Sequence, residues 1–213
     1  MIAKAMRPLR EASDGPSIRI EVIGPGATRL PASPSAGVVG IIMAGLAGGL
    51  DPSLRTGDLV IDDQSTWRGL KLACRTGQIH SAAGIIATPQ QKAALFRDTG
   101  ALVVDMENAA ARKLAAEWNV PFLGIRAVAD SAGETLDPAL LRMTDSSGRV
   151  KPIQILAELC RRPNLLPGLW QMNSRASAAL RSLSLAVRQV VTSSYRTATS
   201  GSVSAPPVNQ SQA

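Results

Sequence analysis

Residues 37–49 read GVVGIIMAGLAGG, an apolar run that leads directly into a cluster of glycines. An uninterrupted run of this kind is typical of a strand that is covered on both faces. The glycines between Ala44 and Gly49 indicate a loop in which the backbone can approach another group closely. The stretch therefore predicts a buried strand from Gly37 to Met43, followed by a glycine-rich loop.

Short apolar strands alternate with helices on both sides of this stretch. A helix is expected from Thr88 to about Asp98, since threonine suits the N-cap, proline suits the first turn, and Gly100 follows. A second helix is expected from Asn108 to Trp118. The alternation predicts an α/β fold with a sheet covered on both faces. The other predicted strands are Ser17 to Ile23, Gly57 to Ile61, Ile79 to Ile86, Ala101 to Val104 and Val120 to Ile125.

The composition excludes several classes of protein. With 213 residues and 45% apolar content, the chain is long enough for one full core. No apolar run reaches the length of a membrane-spanning helix, and the N-terminus lacks the apolar stretch of a secretory signal. We therefore expect a cytoplasmic protein. His80 is the single histidine, and Cys74 and Cys160 lie far apart, so no metal site is expected.

The surplus of basic over acidic residues is concentrated toward the C-terminus. The net charge is +7, but the basic residues are scattered and aromatic residues are few, so nucleic-acid binding is not expected. From Lys151 onward, seven Lys or Arg residues stand against one acid, Glu158. This bias suits an acidic surface such as a membrane.

The C-terminal region predicts a further division of the chain. Ile153 to Cys160 and Ala176 to Val191 are predicted helices, and the second is amphipathic with Arg181 and Arg188 on its polar side. This helix either covers the sheet or a subunit contact, or rests on a membrane surface. The sequence predicts a main domain at 1–170, a basic amphipathic helix at 171–192 and a disordered tail at 193–213.

Three segments stand out by their order and spacing: Gly45 to Leu50, Val104 to Glu107 and Arg126 to Asp130. Together they resemble the nucleoside phosphorylase and nucleosidase superfamily. The resemblance covers about Gly37 to Asp130 and implies a three-layer core with a central mixed sheet flanked by helices. Met1 to Ser13 departs from the family pattern because it contains no apolar strand, so the first strand of the core is expected to be missing or degraded. The segments are the glycine-rich stretch before Leu50, the ribose-binding type of segment Val104-Asp105-Met106-Glu107, and the segment Arg126-Ala127-Val128-Ala129-Asp130, similar to the one that carries the family's catalytic aspartate.

Within the superfamily, the chain resembles the hopanoid-associated phosphorylases. This likeness includes the Arg-Arg-Pro of 161–163 and the Leu-Pro-Gly-Leu of 166–169, which precede a basic helix. It implies the removal of adenine from adenosylhopane, a lipid-linked nucleoside. The basic helix adds a peripheral contact of this cytoplasmic protein with the inner membrane as an alternative expectation. A homo-oligomer is also expected from the family.

Cleavage of an N-glycosidic bond requires two acids with different tasks. The resemblance assigns Glu107 to hold the ribose and its cationic transition state, and Asp130 to protonate the departing base. Taken singly, Glu107 could instead favour the dipole of the following helix, and Asp130 could be an ordinary cap. The expected substrate-binding residues are Gly45, Ala47, Gly48, Met106 and Arg126, the last with Asp105 or Glu107 as an ion-pair partner.

Two nucleophiles are considered for the attack on the sugar: water and phosphate. Phosphate-using relatives place Arg and Ser around the glycine loop, whereas this chain has Met43 and Leu46 there. Water is therefore expected as the nucleophile and no cofactor is expected, with inorganic phosphate as the alternative co-substrate. Two other functions remain alternatives: a methylthioadenosine or adenosylhomocysteine nucleosidase, and an inactive nucleoside-binding or scaffold protein.

Overall fold

A computed structural model describes residues 18–34, 37–62, 72–136 and 166–199 of the chain. The predicted helix at Ile153 to Cys160 and the segment Met1 to Ser13, where a first strand was expected to be missing, lie outside these described residues. The strands are β1 (Ile41–Gly49), β2 (Leu59–Ile61), β3 (Arg75–Thr76), β4 (Ile79–Ser81), β5 (Val103–Asp105) and β6 (Phe122–Asp130). The helices are α1 (Pro89–Thr99), α2 (Asn108–Glu117) and α3 (Leu166–Thr199), with a short 3-10 helix at Pro25–Ala27.

The strands form one mixed sheet in the order β3-β2-β6-β1-β5-β4. The two nine-residue strands β1 and β6 are parallel neighbours at its centre. On the outer sides of this pair, β5 runs antiparallel to β1 and β2 runs antiparallel to β6. The mixed sheet and its helices confirm the predicted α/β class.

Alternate residues of β6 contact helices on opposite faces of the sheet. Leu123 and Ile125 pack in a core cluster with Leu183 of α3. Gly124, between them in sequence, lies against the side chain of Asn108 at the start of α2. Because successive residues of a strand point to opposite faces, α2 and α3 cover opposite faces of the sheet. This arrangement agrees with the expected three layers.

Local sequence signals place the ends of α1 correctly. The side chain of Thr88 accepts a hydrogen bond from the amide of Gln91, whose side chain in turn accepts one from the amide of Thr88. This reciprocal capping box satisfies amides that have no partner within the helix. Gly100 follows in the left-handed conformation with a φ of 66° and ends the helix.

The predicted strand from Ser17 to Ile23 is wrong for the residues that the structure describes. Residues 18–23 have no regular secondary structure, although Ile20 packs against the main core cluster. A strand requires a partner that supplies backbone hydrogen bonds, and no described strand pairs with this segment. The alternation of apolar residues therefore reflects partial burial alone.

The predicted glycine-rich loop is also corrected, because Ala44 to Gly49 continues β1. Backbone pairing on both sides extends the strand: β6 pairs along nearly its full length, and β5 pairs with Gly48 and Gly49. Other limits also differ from the expectation, and β1 itself begins at Ile41 and not at Gly37. The strand predicted from Ile79 to Ile86 ends at Ser81, and β6 extends beyond Ile125 to Asp130.

Helix α3 is longer at both ends than the predicted Ala176 to Val191. No glycine or proline occurs between Leu169 and Thr199, so no residue in that stretch breaks the helix. The predicted apolar side is confirmed, since Leu183, Val187 and Val190 are buried. None of the described helices has both the length and the apolar character that a membrane span requires. The proposed domain limits stay a prediction.

Candidate active site

A cavity of about 220 Å³ lies where β1, β5 and β6 meet the loop that follows β4. Strand β1 separates β5 from β6, so residues at the ends of these two strands reach the cavity from either side of β1. Most of its lining is apolar, and two acids predicted to act on the substrate face it. The lining residues are Leu46, Ala47, Gly48, Gly84, Ile85, Ile86, Val104, Asp105, Met106, Glu107, Ala129, Asp130 and Leu136.

Asp130 is the last residue of β6, and an irregularity in the strand sets its position. Ala47 pairs with Val128 and Gly48 pairs with Asp130, so Ala129 is an extra residue in the ladder. A bulge of this kind changes the direction of the side chains around it. Asp130 is buried, and this desolvation raises the pKa of its carboxyl group.

Lys92 is a partner of Asp130 that the sequence analysis missed. Its ammonium group donates to Asp130 Oδ2 at 2.5 Å, and its side chain has no exposed surface. A signal for its burial exists in the sequence, because Lys92 precedes the partly buried Leu95 and Phe96 by three and four residues on α1. The spacing predicts an inward position but gives no information about the partner.

Glu107 lies two residues beyond β5, immediately before α2. It occupies the N-cap position of the helix, but its side chain makes no capping hydrogen bond. The amide of Gly26 donates to Glu107 Oε1 at 2.9 Å instead. Its position at the N-terminus of α2 agrees with the alternative role in which the acid favours the helix dipole, and its side chain also lines the cavity.

A buried network fixes the turn between β5 and α2. Asp105 Oδ2 accepts hydrogen bonds from the guanidinium of Arg126, with Nε at 2.7 Å, and from the amide of Asn108 at 2.8 Å. Asp105 Oδ1 accepts a hydrogen bond from the hydroxyl of Ser81 at 2.6 Å. Arg126 and Asp105 are both buried. Since Met106 and Glu107 lie between Asp105 and Asn108, the network holds these two residues at the cavity.

The glycines of β1 make room for charged side chains. A Cβ atom at Gly45 would lie 2.9 Å from Nη1 of Arg126, and one at Gly48 would lie 3.3 Å from Oδ2 of Asp130. Gly45 therefore accommodates the internal ion pair of Arg126, whereas Gly48 adjoins the candidate acid. Glycine suits these two positions because a side chain would lack space there, and not because the backbone has a positive φ.

The structure brings together five of the seven predicted site residues. Glu107, Asp130, Met106, Ala47 and Gly48 line the cavity. Gly45 and Arg126 are absent from the described lining, because the side chain of Arg126 is committed to Asp105 and to the carbonyl of Met43. The expected ion pair of Arg126 is thus observed with Asp105.

The part of the chain that contains most of this site is similar to a known protein family. Residues 65–159 match the family model described as the Phosphorylase superfamily. The chain is therefore similar to the Phosphorylase superfamily over that segment, which contains Lys92, Glu107 and Asp130. The match supports cleavage of an N-glycosidic bond, the reaction class predicted from the sequence.

Solved structures provide more distant likenesses. Futalosine hydrolase of Helicobacter pylori is 16% identical, with a TM-score of 0.48, and the match covers 73% of this chain and 69% of that chain. The 5′-methylthioadenosine/S-adenosylhomocysteine nucleosidase of Helicobacter pylori gives the same values. S-adenosylhomocysteine nucleosidase of Streptococcus pyogenes is 15% identical, with a TM-score of 0.47 over 71% of this chain and 66% of that chain. A search of curated protein sequences found no significant match.

Proposed function

We propose that this protein cleaves the N-glycosidic bond of a purine nucleoside and releases adenine. The observation that carries the proposal is the presence of Glu107 and Asp130 in the lining of one cavity. Their chemistry suits two separate tasks: a carboxylate that accepts hydrogen bonds from ribose hydroxyls, and a carboxylic acid that donates a proton to the purine.

The reaction breaks the bond between ribose C1′ and purine N9. The bonding electrons leave with the purine, and Asp130 neutralises them by donating its proton to N7. Glu107 binds the ribose hydroxyls and stabilises the positive charge that develops on the sugar. The raised pKa of Asp130 favours this role, because burial keeps the carboxyl protonated at a higher pH than an exposed aspartate.

Water is the proposed nucleophile: its oxygen forms the new bond to C1′ as the bond to N9 breaks, and it loses a proton to solvent. Solvent in turn restores the proton of Asp130, and no cofactor is required. Among the described residues of the cavity lining, none is a lysine or an arginine that could pair with a phosphate dianion. The nearby cations have other partners: Lys92 pairs with Asp130 and Arg126 pairs with Asp105. Inorganic phosphate remains the alternative co-substrate, which an assay with and without phosphate separates.

The proposed substrate is an adenosine that carries a hopanoid lipid on its 5′ carbon, as the sequence resemblance implies. The apolar character of the cavity supports such a substituent, since Ile85 lies in the lining and is 50% exposed. An exposed apolar side chain beside a polar site suits a lipid better than a small polar group.

A peripheral contact between α3 and a membrane is proposed as the means of reaching this substrate. Leu185 is 66% exposed, and Arg181 and Arg188 are also exposed. The three residues lie four and three positions apart and share one face of the helix. An apolar residue between two cations suits the interface of an anionic membrane. Sedimentation with anionic vesicles tests this contact, and R181E/R188E is expected to reduce binding.

The experiment for the proposed function compares nucleosides directly. Purified protein is incubated with adenosylhopane or methylthioadenosine, with and without phosphate, and free adenine is measured by chromatography. We expect adenine from adenosylhopane without phosphate. Rapid turnover of methylthioadenosine with none of the lipid nucleoside would favour the small-nucleoside alternative. Binding of both nucleosides without any adenine would favour the inactive binding protein.

A further inference from the structure

Lys92 is a buried cation in an unfavourable place. Its side chain has no exposed surface, and it lies near the N-terminus of α1, whose first turn contains no acid. The helix dipole disfavours a positive charge at this end, and burial of an ammonium group is costly without partners. A lysine in this position therefore requires specific acceptors.

The acceptors of Lys92 come from Asp130 and the turn that follows it. In addition to Asp130 Oδ2 at 2.5 Å, the ammonium donates to the carbonyl of Ser131 at 2.7 Å and to that of Glu134 at 3.0 Å. An ammonium group has three protons, and these three acceptors match them in number. Lys92 thus ties one carboxyl oxygen of Asp130 to the backbone beyond β6.

We infer that Lys92 is a positioning residue for Asp130, which holds Oδ2 so that Oδ1 carries the proton that is donated to the leaving base. This inference rests on the proposed function and extends it to a residue outside the cavity lining. When the proton has passed from Oδ1 to the purine, the ammonium group of Lys92 neutralises the remaining carboxylate. No other reactant is needed for this step.

Among the groups around Asp130, Lys92 has the largest influence that opposes the effect of burial on the pKa of Asp130. Burial raises the pKa of Asp130, and the hydrogen bond and charge of Lys92 lower it. Smaller influences come from Glu134, which raises this pKa, and from Arg175, which lowers it. Glu134 itself pairs with Arg175 at 2.8 Å. Removal of the ammonium group is therefore expected to raise the pKa of Asp130 further.

The test measures the titration of Asp130 by NMR in protein labelled with ¹³C at the aspartate carboxyls. The Asp130 signal is identified by its loss in Asp130→Asn. We expect it to titrate at higher pH in Lys92→Met than in the wild type. Lys113→Met provides the control, because the side chain of Lys113 is 80% exposed and pairs with Glu117 on the surface. Its Asp130 titration is expected to match the wild type.

Activity and a second variant complete the test. Lys92→Met is expected to reduce kcat for adenine release by on the order of tenfold or more, with a smaller effect on KM. If Lys92→Met does not fold, Lys92→Gln keeps a donor for the carbonyls without the charge, and the same upward shift is expected. An unchanged Asp130 titration in a folded Lys92 variant would overturn the inference. Wild-type protein that releases no adenine, despite this shift, would overturn the proposed function alone.

Discussion

At the scale of single residues, the carboxyl group of Asp130 is subject to opposing influences. Its burial raises the pKa, while the ammonium group of Lys92 lowers it, and the net direction is upward. Asp130 therefore keeps its proton to a higher pH than an exposed aspartate would. This is the property required of a general acid that must be protonated before it meets the substrate.

The raised pKa predicts the direction of the pH dependence of activity. In the proposed mechanism the protonated form of Asp130 is the active one, so kcat/KM is expected to fall as pH rises through the pKa of Asp130. Asp130→Asn is expected to reduce kcat by about 10²- to 10⁴-fold, the usual contribution of a general acid. Initial rates of adenine release at a series of pH values measure both effects. Wild-type rates in a folded Asp130→Asn variant would remove Asp130 from the mechanism.

The sequence proposes Glu107 and Asp130 as site residues, but it does not predict the groups that contact them. Both acids belong to short segments that resemble the family, so local residues are sufficient to find them. Lys92 is 38 positions before Asp130, and their contact depends on how α1 packs against the end of β6. Gly26 is 81 positions before Glu107, and a hydrogen bond from its backbone amide cannot be predicted from the pattern of side chains. Such contacts follow from the folded chain alone.

At the scale of secondary structure, Gly124 joins β6 to the start of α2. A Cβ atom at Gly124 would overlap Asn108 Oδ1 and Asp62 Oδ2. These two side chains are hydrogen-bonded to each other at 3.1 Å, and the amide of Gly124 donates to Asp62 Oδ1 at 2.8 Å. The missing side chain of Gly124 thus allows a close contact between the strand and the helix.

Substitution of Gly124 is expected to destabilise the fold. Gly124→Ala is expected to lower the free energy of unfolding by about 1–3 kcal/mol, because the added methyl group must displace buried polar groups. Gly133→Ala is the matched control, since a Cβ atom there has no neighbour within 4 Å. Urea denaturation of both variants measures the difference. Equal stability of the two variants would contradict the tight contact at Gly124.

The sequence predicts the limits of a helix that depend on nearby capping residues better than the limits of a strand that depend on a distant partner. The limits of α1 follow from Thr88, Pro89 and Gly100, because caps act within a few residues. The segment from Ser17 to Ile23 has the composition of a strand, but strand formation depends on a distant partner. The same dependence extends β1 through its glycines, which the sequence predicted as a loop.

At the scale of the whole molecule, α3 covers one face of the sheet. Its buried side chains form a core cluster with those of β2 and β6, the largest among the described residues. The apolar positions of α3 were predicted from helical periodicity, which is strong over a long amphipathic helix. The sheet order was not predictable in the same way, because a crossover between distant strands leaves no local signal.

A matched pair of leucines tests the contribution of α3 to stability. Leu183 is 1% exposed and Leu185 is 66% exposed on the same helix. Leu183→Ala is expected to lower the free energy of unfolding by about 2–5 kcal/mol, as for other buried leucines. Leu185→Ala is expected to change it by less than about 0.5 kcal/mol. Similar thermal unfolding of the two variants would contradict the packing of α3 on the sheet.

The most direct test of the proposed site is a crystal structure of the protein with a non-cleavable adenosine analogue. The proposal predicts one bound nucleoside, with a carboxylate oxygen of Glu107 in hydrogen-bond contact with the ribose hydroxyls and the carboxyl of Asp130 in contact with N7 of the base. A nucleoside that contacts only one of these acids, or that binds away from both, would contradict the proposed mechanism.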